Sequence, residues 1–251
     1  MRYIQSFSTS GTEQTALDER ALGKPYVCFI EDGRYIDWNG LSPTPPAPET
    51  RMVATYNVTS TTKNVKIINN TSSRSLSAEL EDGTAVEMPE STGFKYYMFP
   101  ATGQQKVFYT FLTTPPSMPS FDGCGAMVDI YLPEGIVNMR MMVFRDCSGL
   151  TSMTIPDSVS AITGGSNFAG CSRLRSVEIG AGIKALGDQV FHGCSVLSSV
   201  TINAAVPPSI GTGCLTGANN AYFYVPDAAV DTYKAAWTDY STRIKGISER
   251  H

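Results

Sequence analysis

Histidine is almost absent from this sequence, with two in 251 residues against 23 carboxylates and 19 basic side chains. General acid–base catalysis and most metal sites lean on imidazole, so both have little to build on. His251 is the last residue, and His192 stands in a position otherwise filled by Asp, Arg and Ala, as a solvent-facing filler. A Gly-x-Ser-x-Gly elbow, a phosphate loop and a metal-spaced His/Asp/Glu cluster are all missing. Glu31 and Asp32 are adjacent carboxylates, but they flank a turn, where acids are ordinary. The expectation is a protein that is not an enzyme, with no catalytic residue, cofactor or metal. A basic surplus is lacking too. The net charge of −4 leaves no positive stripe to neutralise phosphates, which excludes a nucleic-acid partner. No apolar run approaches the ~20 residues of a membrane-spanning helix.

What the chain has is a repeat. Phe121-Asp-Gly-Cys124-Gly-Ala-Met127 returns as Phe144-Arg-Asp-Cys147-Ser-Gly-Leu150, as Phe168-Ala-Gly-Cys171-Ser-Arg-Leu174 and as Phe191-His-Gly-Cys194-Ser-Val-Leu197. The phenylalanines stand 23, 24 and 23 residues apart, and the cysteines keep the same step. Each copy runs into a short alternating segment: Ile130-Tyr-Leu132, Met153-Thr-Ile155, Val177-Glu-Ile179 and Val200-Thr-Ile202. Four residues on, an aliphatic falls in frame at Ile136, Val159, Ile183 and Val206. One short strand per unit of this length predicts a leucine-rich-repeat solenoid. In-register strands stack about 4.8 Å apart, so framed side chains form buried columns that no single unit can bury alone.

Cysteines 124, 147, 171, 194 and 214 fall within the repeats, and Cys28 stands outside them. Stacked residues are near enough to bridge, but parallel strands aim their Cβ vectors the same way. The expectation is a set of reduced, buried thiols packing as small hydrophobes.

The order Phe-x-Gly/Asp-Cys-x-x-Leu, with Cys before the Leu, and the Ile-Pro-x-x-Val of Ile155 to Val159 resemble the BspA-like leucine-rich-repeat proteins. These are surface and adhesion proteins of anaerobic bacteria of the gut and mouth. The resemblance covers residues 119–251 and implies a solenoid that recognises another protein or a glycan. The closing run from Tyr224-Val-Pro through Val230, Tyr233, Trp237 and Tyr240 to Ile244 is similar to the ending of that family. There, 226–251 is expected as a helical cap: Pro226 suits a first helical position, and Ile244 and Ile247 continue its apolar series.

Upstream of the repeats the chain is expected to be mainly β. Thr12 to Leu22 reads as a short helix, and Tyr26–Ile30 and Arg34–Trp38 alternate around Asp32-Gly33, a hairpin signal. The unit 1–40 is too small for a core of its own and is expected to anchor or dock. The four prolines of 41–50 read as a semi-rigid linker. Six strand-like segments follow in 51–113: Met52–Val58, Val65–Ile68, Ser75–Leu80, Thr84–Met88, Phe94–Phe99 and Lys106–Leu112. They predict a small antiparallel sandwich of immunoglobulin-like type, a module the family resemblance also implies before the repeats. The repeats themselves span 119–225.

Two features are candidates for binding. Outward positions of the repeat strands form the rows Asp129/Ser152/Ser176/Ser199 and Tyr131/Thr154/Glu178/Thr201, an extended recognition surface. Tyr96 and Tyr97, with Met139, Met141 and Met142, are candidates for an assembly contact, including a homo-oligomer. The functional expectation is a non-catalytic interaction or adhesion protein that meets a protein or glycan on a host or particle surface. The alternative is a phage fibre or decoration subunit, anchored by its N-terminal module with the repeats facing outward. Met1 to Thr9 has no apolar stretch of a secretory signal. A cell-surface location therefore requires an export signal that has been removed, and a virion location does not.

Overall fold

The computed structural model describes residues 2–4, 26–29, 35–37, 51–70, 76–88, 93–112 and 118–250. The expected helix at 12–22, the turn at Asp32-Gly33 and the linker at 41–50 lie outside these. The chain divides into two compact units, Met1–Glu49 and Thr50–His251.

In the first unit, Arg2–Ile4 (β1) pairs parallel with Tyr26–Phe29 (β2), and β2 pairs antiparallel with Tyr35–Asp37 (β3). The β2–β3 pairing follows the alternation read on either side of Asp32-Gly33. The parallel β1 has no local sequence signal.

The second unit begins with six strands: Met52–Val58 (β4), Val65–Asn70 (β5), Leu76–Leu80 (β6), Ala85–Val86 (β7), Gly93–Tyr97 (β8) and Gly103–Phe111 (β9). The first repeat strand, Met127–Tyr131 (β10), joins four of them in an antiparallel sheet of order β10-β4-β9-β6-β7. β5 and β8 form a separate two-stranded sheet. The inward face of β4 carries Met52, Ala54, Tyr56 and Val58, in the period of 2 that a half-buried strand requires. A register shift between Lys66 and Ile68 in β5 lets two consecutive residues, Ile67 and Ile68, both face the core. The carbonyl of Ile67 accepts hydrogen bonds from the hydroxyls of both Tyr56 (2.5 Å) and Tyr109 (3.0 Å), so two buried phenols are satisfied by one backbone group.

The repeats build two parallel ladders. The first contains Ser152–Ile155 (β12), Ser176–Ile179 (β14), Ser199–Ile202 (β16) and Tyr222–Val225 (β18), closed by Ile244–Gly246 (β19). The second contains Asn138–Met139 (β11), Ala161–Ile162 (β13), Ala185–Leu186 (β15) and Ser209–Ile210 (β17). Between the ladders run the expected columns. Phe121, Phe144, Phe168 and Phe191 are fully buried, with ring centroids 5.6, 5.4 and 5.5 Å apart and planes within 4–15°. Tyr109 of β9 meets Phe121 edge-on at 5.5 Å, so the aromatic column continues into the antiparallel sheet.

The turn after each phenylalanine explains the Gly/Asp of the motif. Gly123, Asp146, Gly170, Gly193 and Gly217 have φ of 71, 56, 77, 72 and 80°, a left-handed conformation that Gly adopts freely and Asp tolerates.

Three details differ from the sequence reading. Val206 is 75% exposed rather than in the column, because the connection from β16 to β17 is longer and the equivalent position falls on Pro207. Cys214 continues the line of Val143 and Val190, not that of Cys194: Phe191 N–H donates to its carbonyl as Phe168 N–H does to that of Val190. Leu215, Ala218 and Ala221 take the Phe, Cys and Leu positions of this fifth unit, all buried. Finally, the closing helix (α1) spans only Val230–Ala236. Ile244, expected in the helical series, lies in β19, while Ile247 is exposed in a 3₁₀ turn. Tyr233 on α1 and Trp237 just after it are buried; Trp237 packs edge-on against Phe223 at 5.0 Å, and its indole N–H donates to the carbonyl of Pro208.

Candidate recognition surface

Alternation along each strand puts one set of side chains into the columns and the other outward. Register then sets the outward rows. Ser152, Ser176 and Ser199 are direct partners across β12, β14 and β16, as are Thr154, Glu178 and Thr201. The rows run on to Tyr222 and Tyr224 of β18. Sequence reading left these two tyrosines out because the fifth unit has lost its Phe and Cys.

Asp129 and Tyr131 do not join the rows by strand pairing. They lie on β10, opposite Thr55 and Val53 of β4. The parallel ladder therefore begins at β12, and β10 and β12 belong to different sheets. A pocket of about 290 Å³ opens at this seam. Asp129, Tyr131 and Glu134 line one side and Ser152, Thr154 and Pro156 the other, while Ile130, Leu132 and Met153 form its floor.

Glu134 was not singled out in the sequence, although the recurrence of Pro133-Glu134 as Pro156-Asp157 is a usable signal. Its two carboxylate oxygens accept the backbone N–H groups of Asp157 (3.2 Å) and Ser158 (2.9 Å) one unit later. Asp157 repeats the device on the N–H of Ala181 at 2.7 Å.

The rows are open at β10, β12 and β14, covered at β16 and open again at Tyr222 of β18. Asp129, Tyr131, Ser152, Thr154 and Glu178 are exposed and Ser176 is half-buried, but Ser199 and Thr201 are buried at 9% and 3%. Thr201 is covered by the closing residues: Arg250 donates to its hydroxyl at 3.0 Å. Ser199 and Thr201 are therefore removed from the recognition row. Glu178 is accessible, and its carboxylate accepts from the amide of Asn203 at 3.2 Å. Lys245 lies 4.3 Å over the ring of Tyr222.

The assembly candidates separate in the same way. Met139 is fully buried as a rung of the second ladder, above Ile162, and offers no surface contact. Tyr97 is half-buried and meets Phe99 edge-on at 5.1 Å, and Met142 is half-buried in a left-handed turn at φ 58°. Tyr96 and Met141 are exposed, at 52% and 57%.

A family model described as a BspA type leucine rich repeat region matches residues 117–242 in six copies. The chain belongs to this family. BspA-type repeats suggest a protein-interaction role, and proteins of the family are typically exposed at surfaces. No curated protein matches the chain. Among the described residues no group of His, Cys, Asp and Glu is placed to hold a metal ion, and no helix is long and apolar enough to cross a membrane. The five thiols of the BspA-type stack are free and buried, and burial pushes each of them up from the usual thiol range.

Proposed function

We propose that this chain is a non-catalytic adhesion protein whose solenoid presents the open end of its outward rows to a protein or glycan on another surface. One observation carries the reading: the outward side chains of β10, β12 and β14 leave a run of accessible polar and aromatic residues on one face, which the chain covers at β16 and exposes again at Tyr222 of β18. In this reading 51–113 is an immunoglobulin-like sandwich and a spacer, supported by its antiparallel main sheet and the two-stranded sheet of β5 and β8. The location is the cell exterior.

The test is adhesion. Beads coated with the chain are applied to epithelial cell layers and to purified glycan and matrix-protein arrays. A double variant, Ser152→Arg with Ser176→Arg, is expected to abolish retention while leaving thermal stability unchanged. Retention by that variant equal to the parent overturns the reading.

The separate unit Met1–Glu49, with its own three-stranded sheet, favours a second reading as a virion fibre or decoration subunit held by that unit. Tail or capsid genes beside the coding sequence support it, and an upstream export signal overturns it. Self-association of copies, if it occurs, has Tyr96 and Met141 to use rather than Met139.

A further inference from the structure

The seam between β10 and β12 arises because β10 is committed to β4. Two neighbouring strands with framed side chains are left unpaired with each other, and the gap reaches the core residues beneath. Its chemistry is one-sided. Among the described residues the lining holds the two carboxylates Asp129 and Glu134 and no Lys, Arg or His. Glu134 is fixed by the two N–H groups it accepts, whereas Asp129 is exposed and makes no hydrogen bond or ion pair among the described residues. The rest of the lining is largely apolar or aromatic: Tyr131 and Pro156, with Ile130, Leu132 and Met153 beneath.

We infer that the seam pocket takes the side chain of an arginine or lysine from a protein partner. The methylene stem would lie along Leu132 and Pro156, and the cationic head would meet Asp129. Long basic side chains combine an apolar stem with a charged tip, which is the combination the pocket offers. A cation beside an aromatic wall gains further attraction. At about 290 Å³ the pocket is at the small end of ligand clefts, so it suits one side chain better than an oligosaccharide. Its charge opposes sialylated or sulfated glycans, and a neutral sugar would leave the Asp129 charge unanswered. This inference rests on the recognition reading above and names the partner's chemistry at that face.

The probes are N-acetyl-arginine amide and N-acetyl-lysine amide, added to the full chain carrying ¹³C-methyl methionine. Met153 forms the pocket floor, so its methyl resonance, identified through Met153→Leu, reports binding directly. A saturable shift of that resonance with both cationic probes is expected, with none from N-acetyl-citrulline amide, methyl glucoside or sialic acid. Asp129→Asn should weaken binding roughly five- to tenfold, the loss of one charge-assisted contact. Asp231→Asn, on α1 and outside both the pocket and the outward rows, should leave it unchanged. No shift, an equal shift from citrulline amide, or a stronger one from either sugar overturns the inference. The arginine shift surviving in a chain that adheres to nothing would sink the adhesion reading alone. Adhesion surviving without the shift would sink the pocket alone.

Discussion

The thiol of Cys171 donates to the backbone carbonyl of Phe144, one repeat earlier, at 3.0 Å. Cys147 does the same to Phe121 at 3.1 Å, and Cys194 to Phe168 at 3.0 Å. This gives the motif its cysteine. The position needs a side chain small and apolar enough for a buried column, with a donor that spans one rung. Val or Leu supplies no donor, and Ser adds a hydroxyl at a greater desolvation cost.

These thiols should be slow to react while the chain is folded. Alkylation at pH 8 should label none of the five repeat cysteines within the time that denatured chain is labelled completely, because the thiolate is the nucleophile and burial suppresses it. Denatured without reductant, all five should react. Two or more disulfides among them would overturn the stacked arrangement.

Alkaline pH should destabilise the protein. Burial raises Cys124, Cys194 and Cys214 from an ordinary 9.0 to about 12, and raises Tyr56 and Tyr109 well above their usual range. A raised folded pKa means the native state holds protons that the unfolded chain releases. The associated stability is complete below pH 9 and declines as pH climbs from 9 toward 12. Urea midpoints measured from pH 7 to 11 should fall monotonically above 9, and a flat profile would contradict the buried ladder.

Phe168→Ala should cost about 3–5 kcal/mol, since it empties a rung between neighbours at 5.4 and 5.5 Å. Equilibrium denaturation of residues 1–251 measures it. A loss below ~1 kcal/mol would mean the column collapses around the gap.

Gly170→Ala should destabilise by about 1–2 kcal/mol from the left-handed backbone alone. A Cβ at Gly170 would also collide with the carboxylate of Asp146 in the preceding unit, so the loss should shrink in the double variant with Asp146→Gly. Equal losses in both backgrounds would show that the two turns are not coupled.

Most of the repeat was legible because its residues are chosen by stacking, and stacking is periodic. Phe121, Cys147, Leu174 and Ile202 each repeat a neighbour's environment, so the frame can be read without coordinates. The second ladder was harder. Two-residue strands such as β11 and β13 are too short to alternate, and Met139 therefore looked like a surplus methionine rather than a rung. Val206 failed because a single added residue before Pro207 moves the frame without altering its composition. At the recognition surface, alternation marked the outward residues, but nothing local says which are covered. Thr201 is buried by Arg250, 49 residues later, and β10 is claimed by β4, over 70 residues earlier. Such pairings depend on the whole chain.

The pairing of β10 with β4, together with β19 lying beside β18, has a consequence for how such a chain can change length. Each end of the parallel ladder has a fixed neighbour: β12 lies across the seam from β10, which β4 holds, and β18 pairs with β19, the strand that follows α1. A duplicated segment of 23 or 24 residues added at either margin would break a cover. Inserted between β12 and β18 it would keep both covers and meet the same columns above and below. Growth of the stack is thus confined to its interior, and every gain in reach carries the seam and its pocket further from the closing helix.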